Sequence, residues 1–165
     1  MRRTTTTLEL RYDLEGDIAG LAVPAARASR RADRLWQHTC FEAFVGGRDA
    51  LGYLEFNFSS SSEWAIYRFT GYRAGMAAVE TTQPPRIAVT SDGERVSLRA
   101  VVALEPLTEL RDSPILRLAL AAVVEQADGR LSYWALAHPA GKPDFHHAEG
   151  FALELPPPPA GDKRG

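Results

Sequence analysis

Between Leu35 and Val45 the chain reads LWQHTCFEAFV, a stretch whose alternation constrains the fold more than any other. A strand turns successive side chains to opposite faces. Trp36, His38, Cys40, Glu42 and Phe44 therefore share one face, and Gln37, Thr39, Phe41, Ala43 and Val45 the other. The same period recurs in LGYLEFNFS (51–59), where Leu54, Phe56 and Phe58 oppose Tyr53, Glu55 and Asn57, and EWAIYRF (63–69) returns after a serine turn. Three consecutive strands with tight polar turns predict an antiparallel meander.

The rest of the chain repeats the pattern. Thr4–Leu14 reads as an outer strand and Ile18–Val23 as a short one ended by Pro24. Residues 71–83 have no clear period and read as a crossover between sheets. Residues 86–91 and 95–104 form a hairpin about Ser91-Asp92-Gly93-Glu94. Pro106–Pro114 has room for one helical turn. Ile115–Gln126 would suit a helix by length, but its Val-Val end and the turn at 127–130 favour a strand. Leu131–Ala137 and Phe151–Leu155 complete about ten strands with little helix. This predicts an all-β, jelly-roll-like antiparallel sandwich in a single domain, 1–155. The Pro-rich segment 156–165 is expected to stand off as a disordered tail.

With 165 residues and a net charge of −2, the chain can bury one core and carries no global charge for nucleic acid. The arginines Arg27, Arg30, Arg31 and Arg34 lack interleaved aromatics and read as a solvated loop. One cysteine permits no internal disulfide. No secretory leader or membrane-length apolar run is visible, so a cytoplasmic location and no membrane contact are expected.

If the strands pair in order, a face bearing Trp36, His38, Glu42, Asn57 and Arg68 is too polar for a sandwich interior. An aromatic ring flanked by carboxylate, amide and guanidinium suits a sugar, whose C–H face stacks while its hydroxyls hydrogen-bond. Catalysis is not expected. Cys40 and His38 lie roughly 6.5–7 Å apart along a strand, too far for direct contact. Glu42 and Glu55 resemble a glycosidase pair, but nothing marks a deep cleft. His138, Asp144, His146 and His147 are weak metal candidates without helical spacing, outweighed by a loop ordered by Pro139 and Pro143. No cofactor is expected.

LWQHTCFEAFV, YLEFNFSSSSEWAIYRF, GYRAGM and SYWALAHPAGKPDFHH together resemble small bacterial DOMON-like proteins related to family 9 carbohydrate-binding modules, over about Leu35–Phe151. That resemblance implies a sandwich binding a small polar ligand or carbohydrate on a concave face or rim. It implies Trp36 and Trp134 as stacking platforms and Glu42 and Arg68 as polar anchors, with His38 and Asn57 in support. Unlike family 9 modules, this strand carries His38 and Cys40 between Trp36 and Glu42. Rival expectations are haem through Met76 with His138 or His146, a divalent metal at the histidine loop, or a homodimer interface on the polar face.

Overall fold

The computed structural model describes residues 1–158; of the tail expected over 156–165, residues 159–165 lie outside the described residues. Twelve strands are described: β1 (Arg2–Arg3), β2 (Thr7–Glu15), β3 (Arg30–Arg31), β4 (Cys40–Gly47), β5 (Tyr53–Phe58), β6 (Glu63–Phe69), β7 (Ala77–Ala78), β8 (Arg86–Ser91), β9 (Arg95–Ala103), β10 (Leu116–Glu125), β11 (Leu131–Ala135) and β12 (Leu153–Leu155). One helical turn, α1 (Thr108–Arg111), sits where a turn was expected.

The strands form a β-sandwich. A small sheet runs β1-β2-β9-β8, and a large one β11-β10-β4-β5-β6-β3, with β12 alongside β10 and β7 alongside β6. Every named pairing is antiparallel except the short parallel contact of β3 with β6. The meander of β4, β5 and β6 is as the alternation predicted, and 115–126 is a strand.

The core between the sheets takes alternate residues from each. Leu8, Leu10, Leu98, Ala100 and Val102 face Phe41, Ala43, Val45, Leu54, Phe56, Phe58 and Ile66. Phe56 and Phe58 stack at 6.1 Å within it. Each Leu, Ile, Val or Phe side chain there contributes about 1.5–3 kcal/mol on leaving water. Arg3 ties β1 to the end of α1, donating to the carbonyls of Leu110 (3.0 Å) and Ser113 (2.7 Å).

Alternation alone would leave the other face of the large sheet in water. Instead every residue of β4 and β5 is buried. A second cluster covers that face, in which Phe44, Tyr53, Ala65, Tyr67 and Phe69 pack beneath Leu35, Trp36, Phe145 and Phe151.

Two expected strands are corrected. The strand through 35–45 begins only at Cys40, because Leu35–Gln37 winds into a 3-10 turn entered through Arg34 at φ 61°. Thr39 anchors that turn, donating to the Ala22 carbonyl (2.7 Å) and accepting from the Glu125 amide (3.0 Å). These long-range bonds win over extension just before the strand. Ile18–Val23 is likewise a 3-10 turn, Ile18–Gly20, in which the Asp17 carboxyl accepts from the Gly20 amide, followed by one bridge from Leu21 to Gln126.

Candidate functional site

Strand register determines which side chains meet on the covered face of the large sheet. Glu42 lies opposite Asn57 on β5 and Ala121 on β10, and Phe44 lies opposite Glu55. Glu42 and Glu55 are thus diagonal neighbours, with α-carbons about 7–8 Å apart. Glu55 in turn faces Tyr67 on β6, and Val123 faces Tyr133 on β11.

Above these residues opens a cleft of about 400 Å³. Glu42, Glu55 and Val123 form its floor. Trp36, Phe69, Tyr133 and Phe145 supply aromatic walls, and Arg73, Met76, Pro143 and His146 close it from two loops. Trp36 is held edge-on against the Tyr67 ring at 5.6 Å. The 71–76 segment is a wall of the cleft and does not fill it.

The floor is arranged by hydrogen bonds. The Asn57 amide donates to Glu55 Oε1 at 2.7 Å, and its oxygen accepts from the Cys40 thiol at 3.5 Å. The Tyr53 hydroxyl accepts from the Arg73 amide (3.3 Å) and shares a hydrogen bond with His146 Nδ1 (2.8 Å). The other ring nitrogen, Nε2, stands 3.8 Å from Glu55 Oε2. Asp144 joins the two loops. It pairs with Arg73 at 2.8 Å and accepts from the Tyr72 hydroxyl and the His146 amide.

The electrostatics follow from this burial. Glu42 is 3% exposed and its Oε1 has no hydrogen-bond partner. Burial, and then the neighbouring Glu55, push its pKa from 4.5 to about 8. Glu55 is raised by burial and partly restored by the Asn57 donor and then by the charge of Arg73. Burial, and then Arg73, lower His146 to about 4. His146 is therefore neutral at pH 7, and its approach to Glu55 is not an ion pair.

The structure brings together only some of the residues singled out from the sequence. Trp36 and Glu42 line the same cleft, and Asn57 lies beneath it through Glu55. His38 does not face it; the exposed ring pairs with Glu125 at 2.8 Å. Arg68 lies opposite Leu54, on the other face of the sheet, and pairs with Glu109 of α1 at 2.6 Å. Trp134 lies opposite Ala122, again on the other face, and is 61% exposed beside Tyr12 and Leu136 in a separate groove. Tyr133, one residue earlier, occupies the wall that Trp134 was expected to form. Parity on an edge strand follows from its pairing, which the sequence does not display.

The histidine loop divides among several tasks. His138 is exposed and packs on Phe145, His147 accepts from the Glu149 amide, and Asp144 and His146 order the cleft. Among the described residues no three His, Cys, Asp or Glu side chains group to hold a metal ion. Of the arginines in the basic segment, Arg30 is paired with Glu63 and Arg31 with Asp33. Arg73, Tyr133 and Phe145 were not anticipated as site residues. Only the aromatic content of SYWALAHPAGKPDF hints at the last two.

No known protein family matches the chain, and no curated protein sequence does. Its fold is similar to the crystal structure of a candidate carbohydrate-binding protein from Bacteroides uniformis, with a TM-score of 0.63 and 13% identity over 92% of this chain and 73% of that one. At that identity the likeness shows the fold. Among the described residues no helix is long and apolar enough to cross a membrane.

Proposed function

We propose that this protein binds a small hydroxylated ligand of the carbohydrate class in the cleft over Glu42 and Glu55, without catalysing a reaction on it. The observation that carries the reading is Glu42. Its carboxyl lines an aromatic-walled cleft, is almost wholly buried, and has an oxygen with no partner. An unsatisfied buried polar group costs about 1–3 kcal/mol, and a ligand hydroxyl in the cleft supplies this carboxyl with a partner.

Trp36 and Tyr133 offer flat apolar surface to the C–H face of a ring. Glu42, Glu55, Arg73 and His146 offer the donors and acceptors that would orient it. A cleft of about 400 Å³ is within the size range of small-molecule sites, about 300–1,000 Å³. The fold shared with the Bacteroides protein supports a carbohydrate ligand, as does the resemblance of 35–151 to DOMON-like and family 9 modules.

Calorimetric titration with a panel of mono- and disaccharides tests this. One or more sugars should bind, and Trp36→Ala should weaken that sugar about tenfold or more, or about 1.4 kcal/mol. Aryl glycosides should be bound without release of their aglycone. No heat from any sugar would sink the reading, and so would full affinity in Trp36→Ala.

A further inference from the structure

The cleft floor holds two carboxyl groups and no counter-charge. Glu42 and Glu55 are 3% and 5% exposed. Among the described residues neither forms an ion pair with arginine or lysine. Arg73, the cation in the cleft, is engaged by Asp144 at 2.8 Å. The neutral His146 stands 3.8 Å from Glu55. Buried carboxylates without a partner are costly. What these two lack is a positive group arriving from the open side.

We propose that the cleft selects a ligand carrying a protonated amine on a small hydroxylated ring, an amino sugar in chemical class, with its ammonium seated between Glu42 and Glu55. This rests on the carbohydrate reading above and narrows it. The ammonium donates to the Glu42 carboxyl from the cleft side and to the Glu55 oxygen that Asn57 does not hold. The aromatic faces of Trp36, Tyr133 and Phe145 attract the same charge.

The arrangement disfavours a metal ion in that place. The Asn57 amide donates a hydrogen to Glu55, and among the described residues no three His, Cys, Asp or Glu side chains group to hold a metal ion. Other titratable or charged groups around Glu42 are Cys40 on β4, Glu55 on β5, Tyr133 on β11, and Arg73 and His146 on the loops. Tyr12, on β2, donates to the Glu42 backbone carbonyl at 2.8 Å and feels the charge of its carboxyl. Glu42 holds its proton at pH 7, so an ammonium taking its place displaces that proton to solvent.

Glucosamine, galactosamine and mannosamine, each beside its neutral parent sugar and its N-acetyl derivative, are titrated by calorimetry at pH 7 in two buffers of different ionisation heat. Ethanolamine serves as an amine without a ring. At least one amino sugar should bind about tenfold or more tighter than its parent and its N-acetyl form, with proton release. Glu42→Gln and Glu55→Gln should each abolish that preference, so that within either variant the amino sugar binds no tighter than its neutral parent. Neutral sugars binding as tightly as amino sugars would overturn the amine inference and leave the carbohydrate reading standing. No binding of any probe would overturn both. Ethanolamine binding as tightly as the best amino sugar would uphold the amine and remove the sugar.

Discussion

Replacing Glu42 by glutamine should make the protein more resistant to alkaline conditions. A carboxyl whose folded pKa lies above its unfolded value favours folding while it is protonated. Its contribution is complete below the unfolded pKa and is lost as pH rises through the folded one. For Glu42 that window runs from 4.5 to about 8. Each pKa unit is about 1.4 kcal/mol, so the fold loses up to about 5 kcal/mol across the window. Roughly 1 kcal/mol of that is already gone at pH 5, leaving about 4 kcal/mol between pH 5 and pH 9. Glu55, raised in the same direction, adds to the loss. Glutamine has nearly the same shape and stays neutral throughout. At pH 5, therefore, Glu42→Gln should be close to the parent, and by pH 9 it should be several kcal/mol more stable. Urea unfolding at pH 5, 7 and 9, without ligand, reads the difference directly. A constant offset between the two proteins at all three pH values would refute the claim that Glu42 is buried without a counter-charge.

Three further outcomes follow from the packing. Gly52→Ala should cost about 1–3 kcal/mol, because overpacking forces backbone to move, and the new methyl would lie 2.7 Å from the Phe69 carbonyl oxygen; a midpoint unchanged in urea would contradict this. Cys40, fully buried with its thiol pushed well up by desolvation, should resist a thiol reagent in the native protein and react on unfolding. Arg3→Met should cost about 1–3 kcal/mol by leaving buried carbonyls without donors. Amide exchange in 107–112 should then quicken, since Arg3 holds the Leu110 and Ser113 carbonyls, and unchanged exchange there would count against that role.

Much of the architecture was legible from alternation. The meander 40–69, the hairpin about Gly93 and the strand 116–125 all follow from period-two patterns bounded by turn residues, because a half-buried sheet rewards that spacing along the whole strand. Boundaries were less legible. Leu35 to Thr39 continues the same alternation yet turns, since Thr39 bonds to Ala22 and Glu125, partners 17 and 86 residues away. No local pattern reveals a competitor that distant.

The site divides along the same line. That Glu42 shares a face with Cys40 and Phe44 is a property of the chain alone, because covalent geometry makes side chains alternate along any strand. Whether Arg68 or Tyr67, and Trp134 or Tyr133, share that face depends on register, which is set between strands by long-range hydrogen bonds and core packing. The same holds for the cover. Arg73, Phe145 and His146 come from loops far from Glu42 in sequence, and they enclose its carboxyl only once both sheets have packed. An acidic residue on an alternating strand is visible in the sequence; a buried carboxyl pair without a counter-charge arises only when the chain has folded around it.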